Sequence, residues 1–140
     1  MSGPLPATIK PSKVVAACLD GQRLKGYVFN FLATRDSFRL FPAENSPHEA
    51  GVDVKFKVLK ALFFVKDLEG RREHHDTYDM KAAGHGRKIE VTFRDGEKII
   101  GSTEAYNPQK PGFFLFPADP EGNNIRIFVV NSNVQKVKVL

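Results

Sequence analysis

The stretch Asp95-Gly96-Glu97-Lys98-Ile99-Ile100-Gly101 decides the fold of this chain, because the chain contains the same pattern twice. Asp20-Gly21-Gln22-Arg23-Leu24-Lys25-Gly26 has the same acid–glycine pair and the same second glycine five residues later. The two stretches lie 75 residues apart, and this offset also aligns Phe38–Ala43 with Phe113–Ala118. A register that is kept without a gap over so many residues indicates an internal duplication.

Composition and charge predict a small protein that spans no membrane. The chain has 140 residues and a net charge of +5, a basic excess that permits binding of nucleic acid or of an acidic protein without requiring either. The N-terminus lacks the apolar run of a secretory signal, and no stretch has the length of a membrane span. Cys18 is the only cysteine and lies among apolar residues, which indicates a buried, inert thiol. We therefore expect a cytoplasmic protein.

Each copy contains the signals of five short β-strands. Asp20-Gly21 and Asp95-Gly96 are predicted hairpin turns, because glycine accepts the positive φ of a tight turn. Gly26 and Gly101 lie inside the returning strands, where a glycine indicates a bend or a close backbone approach. Short strands with regular turns favour a barrel or a sandwich.

We therefore predict an all-β protein made of two tandem five-stranded small β-barrels. We predict a flexible arm at residues 1–12, a first barrel at 13–68, a linker at 69–87 and a second barrel at 88–140.

Apolar residues in the outward phase of the first copy predict an interface. The last strand of the second copy carries Lys136 and Lys138 in that phase, whereas the first copy has Ala61 and Phe63 at the equivalent positions. We expect the first barrel to pack against the second through a set of five apolar residues: Val15, Ala17, Leu19, Phe63 and Val65.

Residues able to bind metal or to catalyse a reaction are scarce. His74, His75, Asp76 and His85 are concentrated in the linker, where a solvated segment is the favoured interpretation over a zinc or nickel site. Asp20 and Asp95 are better explained as turn formers than as catalytic acids. The sequence has no nucleophile elbow, no useful Cys–His pair and no phosphate-binding glycine loop. We predict no enzyme activity, no metal and no cofactor.

Aromatic and basic residues of the second copy form the predicted binding surface. In the strand Phe113–Phe116, Phe113 and Leu115 are expected in the core, so that only the other two phenylalanines are free for an interface, unless packing between the barrels covers them. The loop from Tyr106 to Gly112 is the most distinctive exposed stretch, and loops over rigid sheets often carry binding residues. The predicted partner-binding residues are Tyr106, Lys110, Phe114, Phe116 and Arg126.

Both copies resemble the Sm-like small barrel, a relative of SH3-like barrels. The residues that carry this resemblance are Val14–Gly26 with Phe38–Leu40, and Ile89–Gly101 with Phe113–Leu115. In addition, Arg87–Leu140 is similar to an uncharacterised bacterial domain that often ends longer signalling proteins, as its Pro111–Pro120 run indicates. Sm-like proteins typically bind RNA in an oligomeric ring.

The chain departs from the Sm-like RNA-binding pattern. The loops before the final strands read Phe56-Lys57-Val58 and Asn131-Ser132-Asn133, and neither contains the expected Arg-Gly pair. The favoured function is therefore a non-catalytic protein–protein interaction module. Such a module would use an apolar-aromatic surface or an open sheet edge. The resemblance of Arg87–Leu140 implies that it is an adaptor or regulator in bacterial cytoplasmic signalling or cell polarity. The alternative is a nucleic-acid binding protein of Sm-like type, with RNA as its partner.

Overall fold

A computed structural model describes residues 10–70, 86–119 and 121–140 of the chain. The described residues form ten strands: β1 Ser12–Cys18, β2 Arg23–Val28, β3 Ser37–Leu40, β4 Val52–Lys55, β5 Leu59–Val65, β6 Arg87–Phe93, β7 Lys98–Thr103, β8 Gly112–Pro117, β9 Asn124–Val130 and β10 Val134–Val139. Single turns of 3₁₀-helix lie at His48–Ala50, Phe56–Val58 and Asn131–Asn133. Within the described residues, no helix is long and apolar enough to cross a bilayer. The prediction of an all-β protein is confirmed.

The internal duplication is visible in the element boundaries. Strands β1 and β6 begin 75 residues apart, and so do β2 and β7, β3 and β8, and β5 and β10. The 3₁₀ turns Phe56–Val58 and Asn131–Asn133 also correspond at this offset. Both hairpin glycines, Gly21 and Gly96, have a φ of 91°, as the predicted turns require. The sequence repeat is therefore a structural repeat.

The ten strands do not form two separate closed barrels. An eight-stranded antiparallel sheet runs in the order β10-β6-β7-β8-β9-β5-β1-β2, and β3 and β4 form a second, two-stranded sheet. Because β5 of the first copy pairs with β9 of the second, the two copies share one sheet. Within each copy the neighbour order is still repeated, since the bridge between Tyr27 and Phe41 corresponds to the β7–β8 pair Ser102 and Phe116. The closed barrel is not found among the described strands.

The two inner glycines allow the second and third strands of each copy to approach closely. A Cβ atom at Gly26 would lie 2.5 Å from the carbonyl oxygen of Phe41. A Cβ atom at Gly101 would clash in the same way with the carbonyl oxygen of Phe116. The interpretation of these glycines as positions of close backbone approach is therefore confirmed.

Two hydrophobic cores lie on opposite faces of the shared sheet, because side chains alternate along a strand. On β5, Leu62 and Phe64 enter the first core, while Ala61, Phe63 and Val65 enter the second. On β9, Phe128 and Val130 enter the first core, and Ile127 and Val129 enter the second. Each core therefore contains side chains from both copies.

The predicted interface between the copies is confirmed for four of its five residues. Ala17, Phe63 and Val65 are buried in the second core, and Val15 packs against it. Leu19 is instead exposed, because it follows the end of β1 and lies outside the shared sheet. Four of the apolar residues predicted to point outward in the first copy therefore cover the second core.

Most of the predicted arm and linker, including His74, His75, Asp76 and His85, lies outside the described residues. The boundaries proposed for these two segments therefore stay predictions.

We predict that residues 1–70 expressed alone bind a hydrophobic dye more strongly than the full chain does. Removing the second copy exposes Ala61, Phe63 and Val65 on one face of β5 and the phenylalanines of the first core on the other. Dye fluorescence and sedimentation at equal molar concentration provide the measurement. A well-behaved monomer with no additional dye binding would show that the first copy does not need the second.

Candidate protein-interaction site

Two of the five predicted partner-binding residues come together at the junction of the copies. The guanidinium of Arg126 lies 4.3 Å from the ring centre of Phe114 and 4.4 Å from that of Phe64. Burial lowers the pKa of Arg126, although the group stays charged at physiological pH. Phe114 itself packs against the first core, so its ring belongs to the contact between the copies. This pair stabilises the shared sheet, and both side chains are only partly exposed to solvent.

The other three predicted residues have different surroundings. Tyr106 is partly exposed and contacts Phe113 edge-on, with ring centres 4.9 Å apart. Phe116 is exposed on the last part of β8. Lys110 lines a cleft of about 450 Å³ together with Lys55 and Lys57 of the first copy. The role of these five residues in binding stays a prediction.

A better-defined site emerges from how the second copy holds β5 of the first. Four consecutive residue pairs join β5 to β9, from Ala61 opposite Val129 to Phe64 opposite Arg126. The side-chain amide of Asn133 donates to the carbonyl oxygen of Leu59, where β5 begins. The second copy therefore receives a neighbouring strand by backbone pairing along β9 and by an amide at its start.

Lys60 anchors this strand electrostatically. Its side chain is buried, and its Nζ donates to Asp95 Oδ2 at 2.9 Å and lies 3.0 Å from Glu97 Oε2. The ammonium also lies 5.3 Å from the centre of the Phe93 ring. Burial alone would lower the pKa of Lys60, but hydrogen bonds to the two carboxylates outweigh burial and raise it. The hydrogen bond from Lys60 lowers the pKa of Asp95. Both groups therefore stay charged near neutral pH.

The second copy binds β5 at a site formed by β9 and the β6–β7 hairpin, which we call the docking site. The first copy has a groove at the equivalent position, and no described strand occupies it. An apolar groove of about 600 Å³ lies along β4 and the β1–β2 hairpin. Five of its lining residues correspond at the 75-residue offset to residues that contact or pair with β5 in the second copy: Cys18, Asp20, Gln22, Val52 and Val58. The charged residues Asp53, Lys55 and Lys57 also line the groove. Val52 is 62% exposed, whereas its counterpart Ile127 is 4% exposed beneath Phe63. This difference arises because β5 covers one copy of the site and not the other.

The outer edge of β4 presents free backbone groups to this groove. The N–H of Phe56 donates to the carbonyl oxygen of Asp36, so these two residues form a hydrogen-bonded pair. Bonded pairs alternate along an antiparallel ladder, and the next ones are Val54 with Phe38 and Val52 with Leu40. The backbone groups of Asp53 and Lys55 therefore point away from β3, and no described strand pairs with them. Such an edge is a template for an added strand.

The chemistry of the open groove differs from that of its filled counterpart. Gln22 stands where the second copy has Glu97, Val58 where it has Asn133, and Cys18 where it has Phe93. Asp20 keeps the position of Asp95, and its Oδ1 accepts the N–H of Gln22 at 2.9 Å. Burial, and then Asp20, raise the pKa of the Cys18 thiol, which keeps it protonated. The groove retains one of the two carboxylates and lacks the amide.

Sequence reasoning missed Val52, Asp53 and Lys55 as candidate binding residues. The signal that could have found them is the exposed β-branched Val52 at the position of buried Ile127. The difference between Val52 and Ile127 has a meaning only because β5 pairs with β9, and the sequence does not show which strand edges meet. Among the described residues, no three histidine, cysteine, aspartate or glutamate side chains cluster as metal ligands.

Comparison with known proteins finds a match between the chain and a family model. A family of unknown function, DUF6982, matches residues 10–140, which include both copies of the repeat. No curated protein and no solved structure matches the chain significantly.

We predict that Asp95→Asn destabilises the protein by about 1 kcal/mol at pH 7, the scale of a charge-assisted hydrogen bond that solvent partly screens. Asparagine keeps the turn but removes the charge that pairs with Lys60. Because folding lowers the pKa of Asp95, its stabilising effect is complete above the ordinary aspartate pKa of about 3.9 and is lost as the pH falls through the lowered value.

The measurement is urea unfolding of the two proteins between neutral and acidic pH. Asp20→Asn is the matched control, since Asp20 occupies the equivalent turn and forms no ion pair within the described residues. Equal losses in both variants at every pH would show that the Lys60 pair contributes nothing.

Proposed function

The chain belongs to the family DUF6982, and from this premise we propose that it is a non-catalytic interaction module that binds an extended segment of a protein partner along β4. The observation that supports this proposal is the exposed groove at β4, whose counterpart in the second copy holds a strand. Addition of a strand to an open edge derives affinity from backbone hydrogen bonds and specificity from pockets for alternate side chains.

The architecture and cellular setting are part of the same proposal. The repeated neighbour order supports descent of each copy from a small Sm-like or SH3-like barrel. In the first copy, no described strand pairs with the outer edge of the fourth strand, β4. The resemblance of Arg87–Leu140 to a domain that ends bacterial signalling proteins supports an adaptor or regulator in cytoplasmic signalling or cell polarity. The predicted residues Tyr106, Lys110, Phe114, Phe116 and Arg126 do not line the β4 groove and would supply further contacts to the partner outside it.

A second candidate function is RNA binding, and one cleft favours it. Lys55, Lys57 and Lys110 line the cleft between the copies, beside Asn131 and Ser132. Three ammonium groups at one site suit a phosphate backbone. Asp36 also lines this cleft and opposes a phosphate there. For this reason we place RNA second.

We predict that peptides selected on the full chain from a random library, about 12 residues long to cover a strand and its flanks, bind at β4. Val52→Lys should weaken these peptides about tenfold, because it places an ammonium in an apolar groove. Ile125→Lys is the matched control: Ile125 is 53% exposed on β9 and lies outside the groove. Fluorescence anisotropy measures both affinities. No enrichment, or equal binding to both variants, would contradict the proposal.

We predict for the second candidate that a mixed RNA pool is shifted in a gel at about 50 mM salt and released at about 200 mM, as phosphate-dominated binding requires. Lys110→Ala should weaken the shift if the cleft is the binding site, whereas Lys136→Ala removes an equal charge elsewhere. Absence of any shift at the lower salt concentration eliminates RNA.

A further inference from the structure

The filled site of the second copy shows which side chains a strand must carry to fit such a groove. Ala61 and Phe63 face the second core and are buried there, opposite Val129 and Ile127 of β9. Lys60 precedes them and reaches the acidic hairpin. Leu62 and Phe64 point to the other face and enter the first core. The pattern that enters the docking site is therefore a basic residue, a small apolar residue, any residue, and a large apolar residue.

Transferred by the repeat, the same pattern can be placed on β4. The small residue would lie opposite Val54 and the large one opposite Val52, since these positions correspond to Val129 and Ile127. The residue before the small one would lie beside Asp20 and Gln22, which correspond to Asp95 and Glu97. The side chain between the small and the large residue would face away from the groove, because alternate residues of a strand point to opposite faces. The basic residue lies just before the paired segment, where Lys60 reaches the hairpin in the second copy.

Strand β10 of a second copy of this chain does not meet these requirements. The strand that corresponds to β5 is β10, and it carries Lys136 and Lys138 where β5 carries Ala61 and Phe63. Seating β10 on β4 would bury two ammonium groups against Val52 and Val54, which is strongly unfavourable without partners. Lysines at these positions also match the way in which proteins protect edge strands from pairing with copies of themselves.

We propose that the β4 groove selects an amphipathic strand of a different protein, bound antiparallel to β4. This strand has a small apolar residue, a large apolar residue two positions later, and a basic residue directly before the small one. Of the two positions that contact Lys60 in the second copy, only that of Asp20 keeps a carboxylate in the first, so this contact is weaker than the one that Lys60 makes to two carboxylates. The inference rests on the proposed function and specifies its ligand.

The probe is a synthetic peptide with the sequence of residues 57–66, in which Leu62→Thr and Phe64→Thr make the outer face polar. A second peptide also carries Ala61→Lys and Phe63→Lys, which reproduces the pattern of β10. We expect the full chain to bind the first peptide and to bind the second about tenfold or more weakly, because lysine is poorly tolerated in an apolar groove.

Two protein variants locate the binding. Lys55→Pro removes an outward N–H and should weaken the first peptide about tenfold, whereas Lys55→Ala removes only the charge and should change binding little. The backbone of Lys55, with φ −85° and ψ 140°, is close to that of proline. Val52→Lys provides an independent test if the proline variant unfolds. Asp20→Asn should weaken the first peptide about threefold and leave a Lys60→Leu version of it unaffected.

Each outcome has a distinct meaning. Equal binding of both peptides, or binding insensitive to Lys55→Pro and Val52→Lys, overturns the inferred pattern. If library-selected peptides bind at β4 but the first peptide does not, the ligand pattern is wrong and the proposed function stands. If neither binds at β4, both are wrong. Concentration-dependent self-association in sedimentation that Val52→Lys abolishes would identify a second copy as the occupant.

Discussion

The pairing of β5 with β9 is the constraint on which the rest of the structure depends. All seven residues of β5 are buried, which is possible only because the strand has a neighbour on each side and a core on each face. In the first core, the ring of Phe31 lies 5.5 Å from that of Phe64 and 5.0 Å from that of Phe128, so rings from both copies surround it. Two units of this size bury little apolar surface alone, and sharing a strand pair lets each complete the core of the other.

The same pairing breaks the symmetry of the repeat. The second copy holds a strand whose anchor is Lys60, whereas no described strand pairs with the outer edge of β4 in the first copy. The side chains have diverged accordingly: Glu97 and Asn133 contact the bound strand, while Gln22 and Val58 stand at the equivalent positions of the open groove. The strand bound in the second copy therefore serves as a model for a ligand of the equivalent groove in the first copy.

Several features of the fold could be predicted from the sequence because they depend on local or periodic chemistry. The repeat predicted equivalent strands, the acid–glycine pairs predicted the hairpins, and Gly26 and Gly101 predicted close backbone approach. The alternation of Phe113 and Leu115 predicted their burial, and the apolar outward phase at Ala17 and Phe63 predicted contact between the copies. Two separate barrels were nevertheless expected, since a periodic pattern indicates that a face is covered but not which strand covers it.

The candidate site also depends partly on local sequence patterns and partly on the tertiary structure. The sequence by itself determined the ten strands, their turns and the faces that must be buried, because glycine conformation and side-chain alternation act over a few residues. Only the tertiary structure decided that β5 lies beside β9, that Phe114 and Arg126 meet Phe64 at this junction, and that β4 pairs with no second strand among the described residues. The reason is physical: backbone hydrogen bonds between strands are the same for every sequence, so the choice of neighbours depends on how whole faces pack together.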